Sequence, residues 1–170
     1  MRHGGNVWEG QPADWLDFSA NLRPEGTPAW VMDTMRAALS QACYYPDRAM
    51  RAARAGLALY LGVDENCVLP TAGGAAAIDL TLGVRRGAVH VQPPTFGEYA
   101  ERAKAHGRRM AANQAIQADD TVVVCNPNNP TGTLLSPNDV LRMHRDVRNS
   151  GGELIVDEAF IDYCPDATVR

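Results

Sequence analysis

Two short apolar runs end abruptly in polar residues, and that pairing limits what the chain can fold into. Thr121 to Val124 is β-branched and is closed by Asn126-Pro127-Asn128-Asn129-Pro130-Thr131-Gly132; Leu154 to Val156 is closed by Asp157-Glu158-Ala159-Phe160. Runs of this kind fill parallel strands covered on both faces, and the Asn-Pro and Pro-Thr-Gly steps force the chain out of the sheet. Between them, Ser136-Pro137 signals a helix N-cap and first turn. Val140, Leu141, His144 and Val147 then form one helical stripe up to Gly151-Gly152. One βαβ unit therefore delivers Asn129 and Asp157 to the carboxyl rim of a sheet, where open α/β folds bind ligands. Taken alone, an Asp there is more often a solvated loop residue.

The rest of the chain extends this pattern. Val68-Leu69 reads as a short strand turning through Thr71 to Ile78 into a helix, and the free N–H groups of Gly74 and Ala75 at its start suit a phosphate. Ala88 to Gln92 reads as another strand, ended by Pro93-Pro94-Thr95-Phe96-Gly97-Glu98-Tyr99, with a helix running to His106 and stopped by Gly107. Nearer the N-terminus, Thr27-Pro28 starts a helix whose stripe Val31, Met35, Leu39 and Ala42 is expected to pack. Asp47 is expected to cap a second helix carrying Met50, Ala53, Leu57 and Leu61, with Gly62 ending it. The expected fold is α/β, a three-layer, mostly parallel sheet flanked by helices. Residues 1–43 would form an N-terminal arm and first helix, and 44–170 part of a larger domain.

Charge and cysteine usage narrow the function. A net charge of −4 gives no reason to expect nucleic acid, and no apolar run is long enough to span a bilayer. Met1 to Gly5 lacks the apolar core of a signal peptide, so the cytoplasm is the expected compartment. Cys43, Cys67, Cys125 and Cys164 are scattered, as are His3, His90, His106 and His144, and neither set has metal-ligand spacing. A dinucleotide site is poorly supported, because no G-x-G-x-x-G follows the first strand.

Several segments together carry a resemblance: His3-Gly4-Gly5-Asn6, Leu16-Asp17-Phe18-Ser19-Ala20-Asn21, Tyr45-Pro46-Asp47, the Pro94 to Tyr99 stretch, the Asn126 to Gly132 loop and Asp157 to Asp162. They resemble the fold-type I pyridoxal-phosphate enzymes, in the branch holding the histidinol-phosphate aminotransferases and the threonine-phosphate decarboxylases. The resemblance implies pyridoxal 5'-phosphate as cofactor. Asp157 would lie beside its ring nitrogen and Asn129 at its ring oxygen. Phe96 would stack on the ring, and the Gly74 and Ala75 backbone would hold the phosphate. Tyr45 would reach the cofactor phosphate of the neighbouring subunit of a homodimer, and Asn21 would touch a phosphorylated amino-acid substrate. The first arm and the Phe at position 160 are like the decarboxylase branch.

The resemblance also marks departures. Ala75 and Ala76 replace residues that carry side-chain oxygens in the family, which leaves backbone cradling alone. The connection from Arg108 to Thr121 is short, and a strand and helix found there in the family are expected to be partly lost. The family's cofactor-linking lysine lies downstream of the strand ending at Asp157. Lys104 is the chain's only lysine; it stands eight residues past Phe96, ~12 Å along a helix, and cannot substitute. No catalytic residue is therefore assigned. The chain is expected to be the N-terminal half of an L-threonine-O-3-phosphate decarboxylase of cobalamin biosynthesis, truncated and inactive alone, with an exposed sheet edge. A histidinol-phosphate aminotransferase and a noncatalytic cofactor-binding remnant are the alternatives.

Overall fold

A computed structural model describes residues 4–5, 16–111 and 114–169. His3, Asn6 and the shared arm residues up to 15 lie outside the described residues. The chain divides into two compact units, Met1–Met50 and Arg51–Arg170.

In the first unit, helix α1 (Ala29–Ala38) follows Pro28 and tightens into a 3-10 turn, Leu39–Gln41. Its expected stripe packs little: α1 has no buried residue, Met35 and Leu39 are 59% and 70% exposed, Ala42 is exposed, and Val31 is half-buried.

The second unit opens with helix α2 (Arg51–Leu61). In the turn that leads into this helix, Asp47 Oδ1 accepts the Ala49 N–H (3.1 Å) and the Asp47 carbonyl accepts the Met50 N–H (2.9 Å). Gly62, at φ +69, ends α2, and the Val63 N–H reaches the Ala58 carbonyl (3.1 Å), the closing bond of a left-handed helix cap. Of the α2 stripe, Ala53 and Leu57 are exposed, and only Ala58 of this helix is buried. Val68-Leu69 is extended but not a strand, because no described strand lies beside it to complete a ladder.

Helix α3 (Gly74–Gly83), strand β1 (Val89–His90), helix α4 (Glu98–Ala105), strand β2 (Met110–Ala111), strand β3 (Thr121–Cys125), helix α5 (Pro137–Asn149) and strand β4 (Glu153–Asp157) follow. The sheet is wholly parallel in the order β2-β1-β3-β4, with Val89 opposite Met110 and Thr121, and Cys125 opposite Asp157. In the connection from Arg108 to Thr121, β2 is a two-residue strand at the edge of the described sheet, and no helix occurs in 114–120.

Alternation along β3 separates the layers. Val123 and Cys125 join Ile78, Leu82, Val89, Tyr99 and Ala103 in the core beneath α3 and α4. On the opposite face, Val122 and Val124 line a cavity of about 530 Å³ bounded by Met143 of α5. Helix α5 forms as expected: the Ser136 hydroxyl accepts the Asp139 N–H (3.2 Å), and Pro137 fills the first turn. Its buried stripe is Val140 and Val147 with half-buried Met143, not the expected Leu141 and His144, which are exposed. Val140 and Val147 are buried as expected, and Met143 rather than Leu141 or His144 completes the row between them.

A buried polar scaffold fixes the amino ends of the strands. Arg108, 5% exposed, donates to the carbonyls of Gly87 (2.7 Å), Leu82 (2.9 Å) and Ala88 (3.2 Å) and to Thr121 Oγ1 (2.8 Å). Asp120 accepts the Ala88 and Gln117 N–H groups (2.6 and 2.9 Å), and His90 Nε2 lies 2.9 Å from it. Burial alone would raise the Asp120 pKa; those backbone bonds and the His90 ring outweigh it and hold the carboxyl below its ordinary value.

Candidate functional site

The carboxyl rim is built from the ends of β1, β3 and β4. Asp157 is the last residue of β4, and its carbonyl accepts the Asn126 N–H (2.8 Å), so the loop after β3 is pinned to the end of the neighbouring strand.

The three asparagines of that loop do different work. Asn126 is fully buried and bonds both ways to the Leu135 backbone, accepting its N–H (2.9 Å) and donating to its carbonyl (3.3 Å). Asn128 joins two loops. Its amide donates to the Pro94 carbonyl (3.0 Å) and to Thr131 Oγ1 (2.8 Å), and its oxygen accepts from the Thr95 hydroxyl (2.7 Å). Asn129 is half-buried, and its side chain makes no hydrogen bond to another described residue. The loop is thus held by two asparagines, which leaves the third amide available at the rim.

Phe96 follows directly from the loop that Asn128 clamps. It is half-buried against the core and meets Tyr99 edge-to-face, with ring centroids 5.7 Å apart and planes at 85°. The Tyr99 hydroxyl donates to Asp157 Oδ2 (2.7 Å), and the Ala159 N–H donates to Asp157 Oδ1 (3.0 Å). Burial first, and then Cys125 and Asp157, push the Tyr99 pKa well above the ordinary phenol value, so the hydroxyl stays a donor.

Gly73 has φ +84 and ψ 172, a conformation L side chains rarely adopt, and this turn opens α3. The first helical bond runs from the Ala77 N–H to the Gly73 carbonyl, and no side chain caps the helix. The N–H groups of Gly74, Ala75 and Ala76 therefore stand without intrahelical acceptors, and nothing lies within 4 Å of where a Gly74 Cβ would be. That is an open backbone cradle for an anion, backed by the helix dipole.

The structure gathers Phe96, Asp157 and the loop of Asn129 on one bonded rim, and α3, which Gly74 and Ala75 open, packs in the same core. Asn21 and Tyr45 lie in the first unit, and both are exposed. There the arm motifs bond to each other: the Gly5 N–H donates to Ser19 Oγ (2.8 Å), and a Cβ on Gly4 would collide with the Ser19 carbonyl. The Ser19 hydroxyl and N–H hold the Asp17 pKa below its ordinary value. Lys104 is exposed in the last turn of α4. Sequence reasoning missed Tyr99 and Asn128 as organisers of the rim; both fall inside motifs it had quoted, but their partners lie 58 and 34 residues away.

This architecture is that of the pyridoxal-phosphate transferase fold. The histidinol-phosphate aminotransferase from Clostridium acetobutylicum superposes with a TM-score of 0.79 over 91% of this chain and 51% of that one, at 23% identity. The Sinorhizobium meliloti histidinol-phosphate aminotransferase, solved in complex with pyridoxal-5'-phosphate, gives 0.73 over 87% of this chain and 45% of that one, at 21% identity. Residues 13–169 match the family described as Aminotransferase class I and II, and the chain belongs to that family. A threonine-phosphate decarboxylase from Sinorhizobium sp is 36% identical over 98% of this chain and 53% of its own length. The chain spans about half the length of the curated relatives it matches.

Proposed function

We propose that this chain forms the cofactor-binding part of a pyridoxal-phosphate-dependent L-threonine-O-3-phosphate decarboxylase. The observation that carries it is the bonded rim, in which an anchored carboxylate, an unbonded amide and a half-buried aromatic follow the ends of neighbouring strands, with an uncapped helix start on a helix that shares their core. A carboxylate matches a protonated pyridine nitrogen, an amide a phenolic oxygen, a π face an aromatic ring, and free N–H groups a phosphate. When bound, the cofactor supplies the electron sink for breaking a bond at the substrate's α-carbon.

The chain's own residues bind and orient. Asp157 would hold the proton at the ring nitrogen, Asn129 would donate to the ring oxygen, and Phe96 would cover one ring face. Gly74 and Ala75 would hold the phosphate through their N–H groups. Asn21 would contact the phosphorylated substrate, and Tyr45 would serve the partner subunit's cofactor in a cytoplasmic homodimer. Lys104, exposed in the last turn of α4, is assigned no role at the rim. The decarboxylase reading is supported by the Leu16 to Asn21 and Asp157 to Asp162 segments and by the decarboxylase relatives.

The test assays the full-length protein with O-phosphothreonine and with histidinol phosphate. Carbon dioxide released from O-phosphothreonine is the expected result. Amino transfer from histidinol phosphate without that release would replace the proposal with the aminotransferase reading.

A further inference from the structure

Tyr99 lies in the first turn of α4, 1% exposed, with its ring in the core and its one polar atom, the hydroxyl, on Asp157 Oδ2 at 2.7 Å. The same ring meets Phe96 edge-on. One residue therefore touches both the aromatic and the carboxylate proposed to face the cofactor.

Pairing with β3 fixes the backbone of Asp157, because Cys125 stands opposite it in the ladder. The ladder does not set the side-chain torsions, which depend on what the carboxylate oxygens bond. One oxygen is held locally, by the Ala159 N–H two residues on; the other is held from across the sheet by Tyr99. A carboxylate has about four lone-pair sites, so two such bonds leave capacity for a ligand.

We infer that Tyr99 is a positioning residue, whose hydroxyl sets the direction of the Asp157 carboxylate at the rim while its ring edge sets the plane of Phe96. What Asp157 faces rests on the proposed cofactor; the anchor itself does not. Burial keeps the phenol protonated, so it remains the donor at neutral pH. Tyr99→Phe removes the hydroxyl, and with it the bond to Asp157, and keeps the ring.

The test has two arms, both on the full chain. Without cofactor, amide hydrogen exchange is followed at Ala159, whose N–H depends on the second carboxylate oxygen. In Tyr99→Phe its exchange should quicken about three- to tenfold, the range expected for one hydrogen bond, while Arg102 and Ala103 of α4 exchange as before. Unchanged exchange at Ala159 would overturn the inference, as would an equal acceleration in α4, which would mark a packing role only.

With pyridoxal phosphate titrated in, Tyr99→Phe should weaken binding about three- to tenfold, and Asp157→Asn more. The double variant should bind no worse than Asp157→Asn alone, because an anchor has no effect once its carboxylate is gone. Additive losses would overturn the inference. If Tyr99→Phe shows the Ala159 response while the wild-type chain binds no pyridoxal phosphate, the anchor stands and the cofactor reading is overturned.

Discussion

Helices α1 and α4 are of similar length and differ in what they bury. The ten residues of α1 have no buried side chain, whereas the eight of α4 bury Glu98, Tyr99 and Ala103. Both sequences are amphipathic enough to be read as helices. Helix α4 packs on a sheet whose inward residues, Val89, Val123 and Cys125, complete a core. Amphipathicity specifies a helix, but stability comes from the surface that receives it.

Matched truncations sharpen the contrast, and the largest effect is expected at Arg108. Replacing it with Ala strips four acceptors of their buried donor and should cost about 3–5 kcal/mol, read by chemical denaturation of the second unit. Leu82→Ala, at a fully buried position in α3, should cost about 2–5 kcal/mol. Leu39→Ala, directly after α1, should cost less than about 0.5 kcal/mol, because the site is already exposed. A comparable loss at Leu39 would show that the first unit contributes core, and the comparison would fail.

Acid is a subtler probe of the same scaffold. The Asp120 pKa is lowered on folding, so its stabilisation is fully present above the unfolded value of about 3.9 and is lost as pH falls through the lower folded value. Wild-type stability should therefore decline below about pH 4, and Asp120→Asn should lower stability at neutral pH and flatten that decline. The smallest effect is expected at the cap of α5, where Ser136→Ala should cost about 1 kcal/mol.

The parts of the fold legible in the sequence were those set by neighbouring residues. The β-branched run of β3, the Ser136-Pro137 start of α5 and Gly62 after α2 each carry their own local reason, and each formed where it was expected. Features that depend on distant partners were not legible. Val68-Leu69 has strand composition but no described ladder partner. Leu141 and Met143 exchanged roles because the sheet, not the period, selects which row of α5 is covered. At the rim, the βαβ spacing pointed to Asn129 and Asp157, and the family resemblance added Phe96. Tyr99 and Asn128 emerge only once the strand exits are side by side, because their bonds span separate segments.

The central claim is that Asp157 faces a pyridine nitrogen at this rim. The direct measurement is the nitrogen NMR signal of ring-labelled pyridoxal phosphate added to the chain and to its Asp157→Asn variant. A protonated-nitrogen signal with the wild type that is lost with the variant is the predicted result. The same signal from both proteins, or free-ligand shifts with the wild type, would contradict it.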